Sequence, residues 1–542
     1  MSMSRLPLLS SAFHTAKRIQ LRSVRNRAHG QAFIRACSCS APQPPPLSVV
    51  KEVEADAQLN PTTSEPPTPP TDHRSIASIH HLFITSPFSP GSPLLLPNGA
   101  YVFQRLQAFL RAQYPQFGYQ EVITPTIYKK SLWEKSGHWE NYAKDMFSVH
   151  GRGLSVQKKD AGMGLNDVFG LKPMNCPGHC LLFKEKTFSY RDLPVRFADF
   201  SALHRNEISG ALTGLTRVRR FHQDDAHIFC RPDQILSEIE STLTFVGMVY
   251  DTFALGPYKL LLSTRPKDRF IGTVEEWDRA EQQLTQALNN SGREWATNDG
   301  DGAFYGPKID IILKDANGKE HQTATIQLDF QLPQRFGLSY PGSPQELESS
   351  PPVEGMHAGE RRPVIIHRAI YGSLERFMAL LIEHYVGIYP FWLSPCPAII
   401  LPITTSPSAL EYASHVQSVL TGLPPPPPSS DTSPTKPTPQ PLSTTHLPIS
   451  IDKSDRSLQK KIFEARTKKY NHVIVIGNRE MEEKCIRLHL MNLQNEEKTV
   501  EVLEEVLGRK LGDGDRSRGG VSVEMGVQDA RRFYEELVNR YL

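Results

Sequence analysis

Between residues 101 and 113 the apolar positions Val102, Leu106, Phe109 and Leu110 recur three and four apart, which predicts a helix with one buried face. The next run, YQEVITPT at 119–126, predicts a strand that Pro125 ends. From there to about Pro395, short strands and helices mix without a strand–helix–strand rhythm. That mixture predicts an α+β domain on an antiparallel sheet over residues 73–395, with loops at 151–171 and 339–362. After Pro395 the rhythm changes. Strands are predicted at 398–403, 447–451 and 472–476, and helices at 408–420, 454–470 and 528–542. The alternation predicts a second, small α/β domain over 396–542. A proline-rich insertion at about 422–446, densest at 424–441, interrupts it with polyproline or disordered character.

One strand-like run carries polar groups where a core strand has little use for them. It is FHQDDAHIFC, residues 221–230. On a strand, Phe221, Gln223, Asp225, His227 and Phe229 share a face, while Asp224 points to the other and is read as structural. Burying an amide, a carboxylate and an imidazole in a row is costly unless something binds them. Upstream, residues 203–225 predict a hairpin with Arg205 and Glu207 on one arm and Arg217, Arg219 and Arg220 beyond a glycine-containing loop. The first arm is expected to pair with Gln223–His227. Guanidinium groups there suit phosphate. At 364–385 a short strand with His367 runs into a helix carrying Gly372, Ser373 and Arg376, with Gly372 and Arg376 on one helical face. In KPMNCPGHC, residues 172–180, Cys176 stands at a helix entry that would lower a thiol pKa; a buried inert cysteine is the alternative.

Composition narrows the picture. Net charge is +3, so no global basic excess announces nucleic acid, and RNA contacts must come from local patches. Seven cysteines without framework spacing fit a reducing compartment better than a disulfide scaffold. No stretch reaches the roughly 18 apolar residues of a membrane span. Residues 1–51 lack Asp and Glu and carry recurring Arg and Lys. This is the composition of a mitochondrial transit peptide, assigned to 1–40, with a generic basic tail as the alternative. Residues 41–72 read as a disordered linker.

Six peptides occur in order: LWEKSGHWENY, KPMNCPGH, RNEISGALTGLTRVRRFHQDDAHIFC, FYGPKIDI, TIQLDFQLP and IHRAIYGSLERF. Together they resemble the threonyl-tRNA synthetases, a class II aminoacyl-tRNA synthetase family. VITPTIY resembles the dimer-interface motif, HRNE through VRRF the ATP-binding strand–loop–strand, and GSLERF the third motif. The resemblance implies a class II antiparallel sheet flanked by helices, a C-terminal anticodon-binding domain and a homodimer without membrane attachment. It implies a threonine–tRNA ligase of the mitochondrial matrix that activates L-threonine with ATP and Mg²⁺ and charges tRNA(Thr). It further implies zinc held by Cys176, His227 and His367, reading the amino and hydroxyl groups of threonine. Such a site rejects valine, which lacks the hydroxyl, better than an apolar pocket could. By the same resemblance Asp225 and Tyr305 receive the threonine amine, with Gln327 in the same pocket. Arg205 holds the α-phosphate with Lys308 and Gln223 nearby, Arg217 and Arg376 clamp the γ-phosphate, and Glu207 faces the adenine amine. His138 matches a position that assists deprotonation of the tRNA ribose; a structural histidine is the alternative.

Departures are also visible. Only about seventy residues precede the catalytic region and read as leader and linker, so an N-terminal editing domain is expected to be absent. The proline-rich insertion departs from a compact anticodon domain. The basic run with Lys453, Arg456, Lys460, Lys461, Arg466, Lys468 and Lys469 is either the RNA-facing surface or an ordinary solvated helix face. A non-catalytic paralogue, or a class II ligase for serine or proline, is the competing reading. The intact set of arginines and zinc ligands argues against both.

Overall fold

The computed structural model describes residues 72–150, 168–268, 270–314, 318–349, 355–423, 439–517 and 520–542. The expected leader, nearly all of the linker, the 151–167 segment and the densest part of the proline-rich insertion lie outside the described residues.

An eight-stranded sheet organises the larger part of the chain. Its order is Trp295–Asn298, Lys259–Ser263, Lys308–Lys314, Glu320–Asp329, Val364–Ala369, Asp225–Cys230, Val195–Asp199 and Gln120–Glu121. The outermost pair at each edge is parallel and every pair between them is antiparallel. The α+β expectation therefore holds. Alternation along the strands sorts the two faces. Ile228, Ile326 and Ile366 turn to one side and join the main core with residues of the helices Pro97–Phe117, Ile235–Thr252 and Leu374–His384. Each such fully buried side chain contributes about 1.5–3 kcal/mol of hydrophobic burial. Their neighbours in sequence face the other side and build the site.

Several expected elements are redrawn. The 119–126 strand shrinks to Gln120–Glu121, because beyond it Thr124 leaves the ladder to donate its N–H and hydroxyl to Asp199. The 101–113 helix extends to Pro97–Phe117, ended by Gly118 at φ 69°. Residues Phe169–Leu171 form a strand rather than a loop, and the 339–362 loop contains the helix Pro344–Ser349. The 221–230 run breaks into Arg220–His222 and Asp225–Cys230. Between them Asp224 accepts from Arg368 Nη1, Ile370 N and Tyr371 N at 3.0, 2.7 and 2.9 Å, which pulls it inward as a structural anchor. The hairpin is real, but Ala202–His204 pairs with Arg220–His222, not with Gln223–His227. Asp225–Cys230 instead takes Val364–Ala369 and Val195–Asp199 as partners.

Beyond residue 396 a six-stranded sheet has the order Ser450–Ile451, Ala398–Pro402, His472–Ile476, Cys485–Leu490, Gly520–Gly526 and Arg516–Ser517. Three of its strands match the expected ones, with the 447–451 strand cut to two residues. Cys485–Leu490, Gly520–Gly526 and the helix Glu496–Leu507 were not anticipated. The last helix, Val527–Asn539, is pinned by Arg531, which donates to Leu420 O and Thr445 O at 2.9 and 2.8 Å. Trp392 N donates to Leu542 O at 3.0 Å and Phe109 packs edge-on to Tyr541, so the C-terminus returns to the larger part. Among the described residues no helix is long and apolar enough to cross a membrane.

Candidate active site

Register explains why residues far apart in sequence meet. Lys308 pairs with Gln327, Gln327 with His367, and His367 with His227, so one rung across four neighbouring strands carries all four side chains on one face. Asp225 sits two residues along from His227 and shares that face. Together they floor a cavity of about 420 Å³. Its walls include Cys176, Arg205, Glu207, Arg217, Gln223, Tyr305 and Arg376.

Cys176 is brought in by the helix Cys176–Glu185, which Pro177 starts. Cys176, His227 and His367 are all buried, and one ligand atom of each lies within 4.8 Å of the others. His227 Nε2 faces His367 Nδ1 at 2.9 Å. The far nitrogen of His367, Nε2, meets Asp329 Oδ2 at 2.9 Å, and Asp329 is itself fixed by the N–H groups of Gln331 and Leu332. Burial drives the Cys176 thiol well above its ordinary pKa and His227 well below. His227 is therefore neutral with a lone pair to give, and the thiol would release its proton to solvent when a metal cation takes its place on sulfur. One sulfur, two imidazoles and an engaged outer nitrogen on His367 fit zinc with a coordination position left open.

Beside this group, burial raises the Asp225 carboxyl, which stands 3.9 Å from His227 Nε2. Tyr305 donates its hydroxyl to Gln327 Oε1 at 3.1 Å, and burial pushes its pKa up. Gly306 lets this loop approach: a Cβ there would lie 1.8 Å from Leu328 O.

The other end of the cavity is cationic. Gly372 at φ 69° turns the chain after the His367 strand, and a Cβ there would strike Thr323 O. Ser373 caps the helix Leu374–His384 by accepting from Arg376 N. Gly372 thus precedes the helix rather than sharing its face with Arg376, as expected from spacing, although both line the cavity. Arg376 holds Thr216 O and Gln322 O at 3.1 and 3.0 Å. Burial and the nearby charges of Arg205 and Arg217 lower its pKa. Arg205 lies over the Phe221 ring at 5.0 Å. Arg217 is ion-paired with Glu207 at 2.9 Å, and Lys308 with Asp310 at 2.7 Å. Three guanidiniums around one carboxylate make a seat for a polyanion.

Phe221, Gln223, Asp225 and His227 of the expected strand face, and Arg205, Arg217 and Arg376, therefore meet in one cavity, while Phe229 packs in an apolar cluster and Arg219 and Arg220 do not line it. His138 does not line it. That ring is buried behind Cys176, with Nε2 3.7 Å from Sγ and Nδ1 2.8 Å from Ser136 Oγ, and burial pulls its pKa down to about 4. Sequence reading missed Asp329, His179 and Asp199. The first two had a signal: Asp329 is two residues beyond Gln327 on a strand, and His179 three beyond Cys176 on a helix. Asp199 had none.

The sheet and its two-ended cavity belong to a class II aminoacyl-tRNA synthetase: residues 163–385 match the family described as tRNA synthetase class II core domain (G, H, P, S and T), and 436–508 match the anticodon binding domain family. The chain is 47% identical over 435 residues to the probable mitochondrial threonine–tRNA ligase of Schizosaccharomyces pombe, covering 80% of this chain and 87% of that one. It is 45% identical over 426 residues to the mitochondrial threonine–tRNA ligase of Saccharomyces cerevisiae, covering 77% and 85%. A solved structure titled as the RNA binding domain of threonyl-tRNA synthetase from Cryptosporidium parvum Iowa II superposes with a TM-score of 0.69 at 40% identity, covering 86% of this chain and 98% of that one. The chain belongs to the threonyl-tRNA synthetase family and is a threonine–tRNA ligase.

Proposed function

We propose that this ligase activates L-threonine with ATP to threonyl adenylate and transfers it to the 3′ end of mitochondrial tRNA(Thr), with the amino acid read at Cys176, His227 and His367. The observation that carries the reading is the cavity's polarity: a buried Cys–His–His set at one end and converging arginines at the other. Zinc held by those three residues would take the amino nitrogen and hydroxyl of threonine. Asp225 and Tyr305 hold the amine, and Gln327 fixes the Tyr305 hydroxyl. Arg205, Gln223 and Lys308 seat the α-phosphate, and Arg217 and Arg376 the γ-phosphate; Mg²⁺ brought with ATP would supply further charge neutralisation. Glu207 receives the adenine amine. The threonine carboxylate attacks the α-phosphorus in line and pyrophosphate leaves. Positioning and charge neutralisation lower the barrier. His138 is assigned to the ribose proton in transfer by the family resemblance alone; its place behind Cys176, against Ser136, fits the structural alternative better.

We also propose a homodimer through the VITPTIY segment, where Ile123 is 87% exposed and Ile127 is exposed beside it. A mitochondrial matrix location is proposed from the names of the two yeast relatives and the composition of residues 1–40. The domain limits 73–395 and 396–542 belong to the same proposal.

ATP–pyrophosphate exchange with threonine, serine and valine, before and after chelation, tests the mechanism. Threonine should drive exchange, chelation should abolish it, added zinc should restore it, and valine should stay near background. Vigorous exchange with valine, or full exchange by metal-free protein, would sink the zinc reading.

A further inference from the structure

The second imidazole of the pair, His227, has a partner that the ligand set does not explain. Its Nδ1 lies 2.7 Å from Nδ1 of His179, a fully buried residue on the helix that Cys176 starts. Two ring nitrogens that close require one to carry a proton and the other a lone pair. The far nitrogen of His179, Nε2, has no hydrogen-bond partner within ordinary range among the described residues, and the carboxylate oxygen Oδ2 of Asp199 is 3.7 Å away. Asp199 is buried and immobilised. Thr124 N and Oγ1 donate to Oδ2 at 3.1 and 2.6 Å, Ser201 N and Oγ donate to Oδ1, and the Lys172 ammonium stands at 3.8 Å.

The fixed negative charge decides the polarity of the row. A lone pair on His179 Nε2 would face a carboxylate, whereas a proton there is attracted to it. With the proton on Nε2, His179 Nδ1 is an acceptor, so His227 must carry its proton on Nδ1 and hold a lone pair on Nε2. On the other side Asp329 does the same to His367, accepting from Nε2–H and leaving a lone pair on Nδ1. Two lone pairs then point at each other across 2.9 Å. That arrangement repels unless a cation lies between the rings and the Cys176 sulfur.

We infer that His179, backed by Asp199, is a positioning residue that locks His227 in its metal-binding tautomer, as Asp329 locks His367. The inference rests on the zinc reading proposed above. It adds a relay of Asp199, His179 and His227, in which only the last side chain touches the metal. Outer partners of this kind change metal affinity by about 10–100-fold in known sites.

The test is zinc competition against a chromogenic chelator on the full chain, with thermal melting of each metal-free variant as a check on folding. His179→Phe keeps a ring but removes both nitrogens and should weaken zinc binding by about 10–100-fold. His179→Gln can accept from His227 Nδ1–H while donating toward Asp199, and should restore most of the affinity. A merely structural role would not separate the two. Equal zinc affinity in wild type and folded His179→Phe overturns the relay. Failure of wild-type protein to take up zinc overturns the zinc reading itself, a different outcome. If His179→Phe does not fold, Ser201→Ala, which removes only one donor from Asp199, decides: weakened zinc binding supports the relay and wild-type affinity overturns it.

Discussion

The two ends of the cavity are built on opposite plans. At the end proposed to hold the amino acid the side chains are buried or half-buried and tethered: Tyr305 to Gln327, His367 to Asp329, His227 to His179. At the end proposed for the nucleotide Arg217 is more than half exposed and its charge is answered by Glu207, while Arg205 and Arg376 repel each other. The first is a rigid reader, in which a ligand lacking one polar group leaves a buried partner unmatched. The second is a concentration of charge whose strain a polyphosphate relieves. Selectivity should therefore reside at one end and driving force at the other, and substitutions should separate them.

The largest effect is expected from Arg205→Ala. Removing a preorganised donor from the phosphorus under attack should slow threonine-dependent exchange by about 10³-fold, roughly 4 kcal/mol. Arg205→Lys should recover only part, because an ammonium lacks the planar fork that stacks on Phe221. A tenfold loss or less would mean that the converging arginines are not the phosphate seat.

Asp225→Asn probes the opposite end. The amine loses a charged partner, so KM for threonine should rise about 10–100-fold, or 1.5–3 kcal/mol, while KM for ATP stays within about twofold. Equal changes in both constants would erase the division between the two ends.

That division was legible in sequence to unequal degrees. One face of the cavity follows from period two: Gln223, Asp225 and His227 alternate in FHQDDAHIFC, and all three line the cavity. What failed was pairing. Spacing along one chain cannot tell which strand lies beside Asp225–Cys230, so the arm with Arg205 was assigned to the wrong neighbour. Likewise Gly372 was placed inside a helix, because only the Ser373 cap and the positive φ show that the turn comes first. Asp199 stayed invisible for the same reason. Its role depends on His179, Thr124 and Ser201 arriving from different elements. Beyond residue 396, HVIVI announced its strand by an unbroken apolar run. Gly520–Gly526 also carries a period-two signal, with Val521, Val523 and Met525 buried, yet it is not among the expected strands.

The sheet beyond residue 396 extends the comparison to stability, because its buried titratable group faces no ligand. His472 is packed among Phe391, Phe533 and Tyr534 with neither ring nitrogen hydrogen-bonded among the described residues, and burial lowers its pKa to about 3. The folded ring refuses a proton that the unfolded ring accepts below about pH 6.5. This stabilising contribution is complete above pH 6.5 and drains as pH falls toward 3, reaching a loss of about 2 kcal/mol at pH 5. His472→Phe should flatten that slope in urea midpoints measured at pH 7.5 and 5. An unchanged slope would place the acid sensitivity in the larger part of the chain.

The smallest effects separate charge for binding from charge for folding within one helix, Leu458–Thr467. The basic run does not form a uniform surface. Lys461 is buried and donates to Pro402 O at 3.0 Å, while Arg456 and Lys468 are tied to Glu464. Lys460 and Arg466 are exposed on the face that also presents Phe463, which is 73% exposed. A solvated cationic face with an aromatic ring can meet both phosphate and base. Lys460→Ala and Arg466→Ala should each weaken tRNA(Thr) binding by about 1 kcal/mol and reduce the salt slope by about 0.7–1, leaving exchange without tRNA untouched. Lys461→Met should do the reverse, lowering the melting temperature while the folded fraction binds tRNA normally. If Lys460→Ala and Arg466→Ala leave both affinity and salt slope unchanged, this helix face is ordinary solvated surface and the anticodon arm is held elsewhere.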